Sequence, residues 1–468
     1  MSESGLTSRQ AALLVAISAA GILLRFAAID RSYWFDELAT VDASSWPSWT
    51  TVLRVTSQDN QPPLYNSTVF FWTHAFGFSE IAVRLLSMLF GALALLSPWL
   101  ARTALNRTEK LLIFTILCLM PLPIRYAQEA RNYSLLFMLS SVCLFSYYEI
   151  IVAKTRRLKI LFHASLILLA FSHLFGLMLA VSFLAVMFWR ERRATWRLGL
   201  VVYATALTAA IIVPLLLGGS GEHIGGKFWI TFSAASLSSQ LLTVFTPVGM
   251  ALLAYAIFGW QRISGRARFE PALIQALMPF VLMLAGAILI SFNTPIITER
   301  NLIGLIPAFA LLIGWLLQRV ITSNAAITTS ALLCLFLLQS AVWVYSPYLF
   351  IQQNFRSIAE QSIAADSKVC YLVPTVKDTV TQIGLFGFYV TRIFHRPDLE
   401  PELVTDSQVP QDLATRDCTL WADAAMQRRG VSILRSLPQF SRCTDVPLTK
   451  SDARIASALM ACPRNVGF

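Results

Sequence analysis

Charge is what this chain has least of. Only 13% of its 468 residues are Asp, Glu, Lys or Arg, against roughly 25% in soluble domains. That scarcity, with 56% hydrophobic residues, excludes an ordinary soluble domain. Runs of about 20 mostly apolar residues, enough to cross a bilayer, recur along the chain and define a polytopic α-helical membrane protein. Other absences narrow the reading. The seven cysteines show no CxxC spacing that suggests zinc. No clear small-x-small cleavage site follows the first apolar run, so residues 11–29 read as an uncleaved anchor and not as a signal peptide. No internal repeat and no low-complexity tract is visible.

The net charge of +11 resembles a nucleic-acid signal until its distribution is read. Basic residues cluster in short loops: Arg102, Arg107 and Lys110; Lys154, Arg156, Arg157 and Lys159; Arg190, Arg192, Arg193 and Arg197; Arg262, Arg266 and Arg268. This is the positive-inside pattern of membrane topology, and no nucleic-acid partner is implied. Spans are expected near 11–29, 80–101, 111–125, 131–153, 160–172, 174–189, 198–217, 241–260, 272–291, 301–318 and 325–345, about eleven in all. With the N-terminus inside, they put every basic cluster on the cytoplasmic side. The apolar segment 63–77 is the test case. Counting it as a span would place all the clusters outside, so it reads as a juxtamembrane or re-entrant helix, with Pro62 and Pro63 suited to its start.

Residues 1–345 then form a transmembrane domain with a long first outer loop (30–79). Residues 346–468 form a small extracytoplasmic α/β domain. Cys118, Cys143 and Cys334 fall in apolar runs and read as packing residues. Cys370, Cys418, Cys443 and Cys462 all fall in the C-terminal segment, which suggests an oxidising compartment and up to two disulfides with three possible connectivities.

Beyond the first span, in Ser32-Tyr33-Trp34-Phe35-Asp36-Glu37-Leu38, two adjacent carboxylates stand beside an aromatic stretch. Other ionisable residues gather at the same outer ends: Asp59, Glu129, Arg131, His173, Glu222, His223, Lys227, Glu299 and Arg300. Ionisable groups at membrane level are costly and are usually functional or paired. A mixed set at one level suits an anionic, lipid-borne substrate. A transferase taking a sugar from a lipid phosphate needs a base for the acceptor hydroxyl, cations or a metal for the departing phosphate, and an apolar groove for the tail. Asp36 and Glu37 meet the first need. Arg131, Lys227 and Arg300 meet the second, arginine through its planar fork. Simpler roles compete. Asp36 sits where a helix dipole favours an acid, Asp59 suits a turn before Pro-Pro, and Glu129 and Arg131 suit a surface ion pair. Arg25 and Arg84 suit snorkelling to headgroups, and His173 suits a packed core.

The residues also carry a family likeness. After the acid pair come Asp59-Asn60-Gln61-Pro62-Pro63-Leu64-Tyr65 and Ser79-Glu80-Ile81-Ala82-Val83-Arg84-Leu85-Leu86-Ser87. Tyr126-Ala127-Gln128-Glu129-Ala130-Arg131-Asn132-Tyr133 and His173-Leu174-Phe175-Gly176 follow. Glu299-Arg300-Asn301-Leu302 then runs into Pro307-Ala308. The ordered set, over about residues 11–320, resembles the GT-C glycosyltransferases of the protein O-mannosyltransferase-like group, which includes bacterial aminoarabinose transferases of lipid A.

The resemblance implies a GT-C fold in a bacterial inner membrane, with the active site and C-terminal domain on the periplasmic side. It implies an inverting enzyme using a polyprenyl-phosphate-linked sugar and a lipid, glycan or protein acceptor. Asp36 matches the position of the catalytic base and Glu37 its partner. Asp59, Gln61, Tyr65, Glu129, Arg131, Tyr133, His173 and Arg300 lie in the matching motifs and are the candidate substrate-binding residues, joined, on charge and position alone, by Lys227 of the Gly-rich outer loop. Gln61 stands where the group commonly has a histidine, which removes one possible metal or phosphate ligand. If a divalent metal ion is used, Glu37, Asp59 and Glu129 are the candidate ligands. The rivals are a ligase or polymerase using a pyrophosphate-linked donor, an anionic-lipid transporter, and a scaffolding membrane protein. The spans are poor in central charge, which disfavours a pathway through the membrane.

Overall fold

The computed structural model describes residues 7–27, 29–58, 62–154, 157–190, 232–264, 269–320, 323–345, 355–364, 366, 368–373, 387–399, 402–405, 418–422, 444–445 and 458–461. The chain divides into two compact units. The first comprises residues 1–29, 46–75 and 83–345; the second comprises 30–45, 76–82 and 346–468.

The first unit is helical: α1 (Ser8–Leu23), α3 (Trp49–Gln58), α4 (Leu64–Phe76), α5 (Glu80–Leu96, entering the unit from Val83), α6 (Arg107–Leu119), α7 (Pro121–Ala127), α8 (Tyr133–Ala153), α9 (Arg157–Ser172), α10 (Leu174–Arg190), α11 (Ala234–Phe245), α12 (Pro247–Ser264), α13 (Pro271–Ser291), α14 (Ile306–Val320) and α15 (Ser323–Tyr345). Among the described residues six helices are long and apolar enough to cross a membrane, or up to eight if each bent pair forms one span. This is a multi-pass membrane protein. The expected count of about eleven is not reached among the described residues, and physical causes are visible. The run 111–125 is bent by 63° between α6 and α7, and 241–260 by 79° between α11 and α12. Each bend falls at a residue before proline, Met120 and Thr246, where the ring disfavours helical backbone. The runs 160–172 and 174–189 form the shorter helices α9 and α10, while 198–217 lies outside the described residues. Helix α4 has 13 residues, short of the roughly 20 that a span needs.

Burial sorts the helices. Within their apolar windows α14 is 83% buried and α8 72%, whereas α1 and α15 are each 28% buried. The former make the interior and the latter present apolar faces outward. In lipid, close packing relies on small residues. A side chain on Gly314 of α14 would stand 2.4 Å from Ile113 of α6, so glycine sets that approach. Gly176 has the same role in the α9–α10 turn, where a β-carbon would meet the Leu169 carbonyl at 2.3 Å.

The α6–α7 bend frees carbonyls that α-helical pairing would otherwise occupy. Arg25, 3% exposed, donates to the carbonyls of Cys118 (2.9 Å), Leu117 (3.1 Å) and Gly21 (2.7 Å). Ser340 donates to the Leu119 carbonyl. Arg25 therefore caps a broken helix and does not snorkel. Arg84 is likewise buried and donates to the Ile29 carbonyl at 2.9 Å. At the far end of α8, Glu149 accepts from the Thr103 and Ala104 amides, each at 2.9 Å. Near the start of α6, Glu109 pairs with Arg319 at 3.0 Å.

The second unit contains α2 (Phe35–Ala43), α16 (Phe355–Ala364), a π-helical turn at Tyr389–Ile393, and a five-stranded sheet ordered β2-β1-β3-β5-β4. The strands are β1 (Lys368–Val373), β2 (Glu402–Thr405), β3 (Cys418–Ala422), β4 (Thr444–Asp445) and β5 (Ala458–Ala461). β1 pairs parallel with β2 and β3; β5 pairs antiparallel with β3 and β4. Cys370 and Cys418 fall on β1 and β3, whereas Cys443 and Cys462, the other two cysteines expected to pair, lie outside the described residues; Cys118, Cys143 and Cys334 are free thiols.

Replacing Arg25 with methionine keeps most of the stem and removes the donors to three carbonyls. We expect Arg25→Met to destabilise the detergent-solubilised protein by about 3 kcal/mol, read as a lowered melting temperature, with Arg25→Lys intermediate.

Candidate active site

Within the first unit the α7–α8 turn is built by short-range bonds. The Gln128 amide donates to the Arg125 carbonyl (2.9 Å) and the Arg131 amide to the Glu129 carbonyl (2.8 Å). Asn132 Nδ2 donates to the Ser172 carbonyl at 3.2 Å, tying this turn to the end of α9. Its side chains carry the charge. Arg125 Nε donates to Glu129 Oε1 at 3.0 Å. The Arg131 guanidinium lies 5.8 Å from the centre of the Tyr133 ring. That ring stands 4.6 Å from Tyr126 and 5.7 Å from His173. Both Glu129 and Arg131 are buried.

His173 occupies the tight turn between α9 and α10, outside both helices. Its Nδ1 accepts the Phe175 amide at 3.0 Å, which assigns the ring proton to Nε2. Burial first, then the positive charges of Arg131 and Arg300, pull the imidazole down to about 3. Arg131 and Arg300 thus converge on one neutral histidine from separate loops. Arg300 precedes a 3₁₀ turn (Asn301–Leu305) leading into α14. The neighbouring Glu299 donates its amide to Gln240 Oε1 at 2.6 Å, and its charge acts on Arg125. The result is a cluster of three arginines, two acids and a neutral imidazole against tyrosine rings, with a positive balance suited to an anion.

The acid pair belongs to the second unit. Asp36 and Glu37 occupy the first turn of α2, where the helix dipole favours negative charge. They differ in access. Glu37 is fully buried, and its Oε2 accepts the Trp34 amide at 3.2 Å, closing the helix start. Asp36 is half-buried, and its carbonyl accepts from Thr40 Oγ1 at 3.0 Å. Asp36 is thus the more accessible carboxylate, and Glu37 holds the turn that presents it.

The remaining expected residues fall elsewhere. Tyr65 is buried, with its hydroxyl 2.8 Å from Ser87 Oγ, linking α4 to α5. Asp59, Gln61 and Lys227, with Glu222 and His223, lie outside the described residues. Among the described residues no three His, Cys, Asp or Glu side chains gather as metal ligands. Glu37 and Glu129 fall in different units. Sequence reasoning missed Arg125, although its i,i+4 spacing to Glu129 is a helix-pair signal.

No protein-family model matches the chain, and no curated protein matches it in sequence. Its fold does match solved structures. The apolar helices define a multi-pass membrane protein, and its fold is shared with a solved membrane protein. The structure is similar to ArnT from Cupriavidus metallidurans in the apo state, with 14% identity over 98% of this chain and 99% of that one, at a TM-score of 0.61. It is also similar to the same protein bound to undecaprenyl phosphate, with 14% identity over 96% and 97% of the two chains, at a TM-score of 0.57. The GT-C likeness read from the ordered motifs is matched at the level of fold.

The depressed His173 fixes a sign. The folded state binds fewer protons there than the unfolded state between about 3 and the usual imidazole value near 6.5. Its contribution to stability is therefore complete above that usual value and is lost as pH falls. His173→Asn keeps an acceptor for the Phe175 amide and removes the titration. Melting temperatures between pH 7 and pH 5 should fall less steeply in this variant than in wild type.

Proposed function

We propose that this chain is an inverting glycosyltransferase that moves a sugar from a polyprenyl-phosphate carrier to an acceptor hydroxyl at the outer face of a bacterial inner membrane. The observation that carries the reading is the fold likeness, over nearly the whole chain, to a protein solved with undecaprenyl phosphate bound. The convergence of Arg131 and Arg300 on His173 supports it. The basic loop clusters support the orientation, since they keep the cytoplasmic side positive.

In this reading Asp36 takes the proton from the acceptor hydroxyl. The acceptor oxygen attacks C1 of the sugar as the bond from C1 to the phosphate oxygen breaks, and the anomeric centre inverts. The electron pair leaves with the polyprenyl phosphate, whose charge Arg131 and Arg300 stabilise. Neutral His173 offers its Nε2 proton as a hydrogen bond without adding charge. Glu37 holds the first turn of α2 so that Asp36 keeps its aim. The acceptor is a lipid, a glycan or a protein, and residues 346–468 contribute to its recognition. Among the described residues no cluster of His, Cys, Asp or Glu side chains fits a divalent ion.

Asp36→Asn in the purified, folded protein should lower transfer by about 10²–10⁴-fold while binding of a polyprenyl-phosphate sugar persists. Near-normal transfer by this variant would remove Asp36 as the base. The pair Arg131→Gln and Arg300→Gln should each raise the Kd for the monophosphate donor about tenfold or more. Preference for a pyrophosphate-linked donor would instead favour a ligase or polymerase, and movement of labelled lipid across vesicles without sugar transfer would favour a transporter.

A further inference from the structure

The second unit joins segments remote in sequence around the irregular stretch that leads into the acid pair. Tyr389, in the π-helical turn, accepts the Tyr33 amide at 2.7 Å and donates to Glu80 Oε1 at 2.9 Å. Ser32 Oγ lies 3.3 Å from the same phenol and accepts the Arg356 amide at 3.2 Å. Arg356 also reaches Glu80 Oε2 at 3.4 Å. The Tyr33 hydroxyl donates to the Phe78 and Ser79 carbonyls, each at 3.0 Å. Tyr33 and Tyr389 are fully buried, and Glu80 is 4% exposed. Burial, then the Glu80 charge, raises the Tyr389 phenol well above its ordinary value, so it remains a donor at every working pH. Three residues past Tyr389, Arg392 acts on Asp42 of α2, whose carboxyl burial pushes up to about 6. One turn of the C-terminal segment therefore holds the entry to α2 and also bears on its last turn. π-Helical turns recur at functional sites.

We infer that Tyr389, bridging the Tyr33 amide and Glu80, is a positioning residue that sets the aim of Asp36, so that residues 346–468 help to build the catalytic turn and do more than meet an acceptor. The inference rests on the reading of Asp36 as the base. The phenol joins a backbone donor three residues before Asp36 to a buried carboxylate. Removing its oxygen takes the acceptor from one and the donor from the other in a dry setting, where each loss is costly. The entry stretch then shifts, and displacement of about 1 Å is enough to lower a catalytic rate roughly 10²-fold.

The test uses the full chain in detergent. For Tyr389→Phe we expect kcat to fall at least tenfold, with unchanged Kd for a polyprenyl-phosphate donor and an unchanged melting temperature within a few degrees. Hydrogen exchange should quicken in a peptide covering residues 32–40 and not in one covering 133–150. Glu80→Gln keeps an acceptor for the phenol and should retain more kcat than Glu80→Ala. Normal kcat in Tyr389→Phe would overturn the inference, as would equal losses in Glu80→Gln and Glu80→Ala. A rise in Kd matching the loss in rate would also overturn it, by making Tyr389 a binding residue. Should Asp36→Asn itself transfer normally, the function reading is what has failed; faster exchange at 32–40 would then stand as a structural effect alone.

Discussion

The structure depends on one constraint: backbone polar groups removed from water must find partners inside the protein. Continuous helices meet it without help. The first unit breaks two of its spans, at Met120–Pro121 and Thr246–Pro247, and each break has to be repaired by other parts of the chain. Arg25 and Ser340 repair the first by occupying carbonyls of residues 117–119. Thr246 repairs the second in place, its hydroxyl accepting the Gly249 amide at 3.0 Å. Bent, locally capped helices let the α7–α8 turn carry polar side chains at a helix end.

The same constraint separates roles among the charged residues. Arg25, Arg84 and Glu149 are engaged with backbone groups, and a charge so used is poorly placed to serve a ligand. Arg131 and Arg300 both bear electrostatically on His173, and with its burial they keep the imidazole neutral. Glu37 and Asp36, adjacent in sequence, divide in the same way: one closes the start of a helix and the other is half-open.

Much of the fold was legible because hydropathy reports lipid solvation directly. Spans near 11–29, 80–101, 131–153, 272–291, 301–318 and 325–345 each have a long apolar helix. The bends were not read, although Pro121 and Pro247 announce them, because an apolar run looks continuous whether or not its axis turns. Arg131, His173 and Arg300 come from separate motifs, and both arginines bear electrostatically on the histidine. The cap formed by Arg25 was hidden, since its acceptors lie 92 and 93 positions away and local pattern cannot report such a pairing. The relation of α2 to the C-terminal segment was hidden for the same reason.

That relation has a consequence for how the protein comes into being. The Tyr33 amide meets an oxygen 356 positions later in the chain. During synthesis the spanning helices emerge and pack while this amide still lacks its eventual partner. Contacts of such sequence separation form late, and the ribosome reaches Tyr389 only after it has made all the described spanning helices. The turn bearing Asp36 is therefore finished after the helical bundle, so a chain stopped short of the C-terminal segment inserts with its acid pair unset.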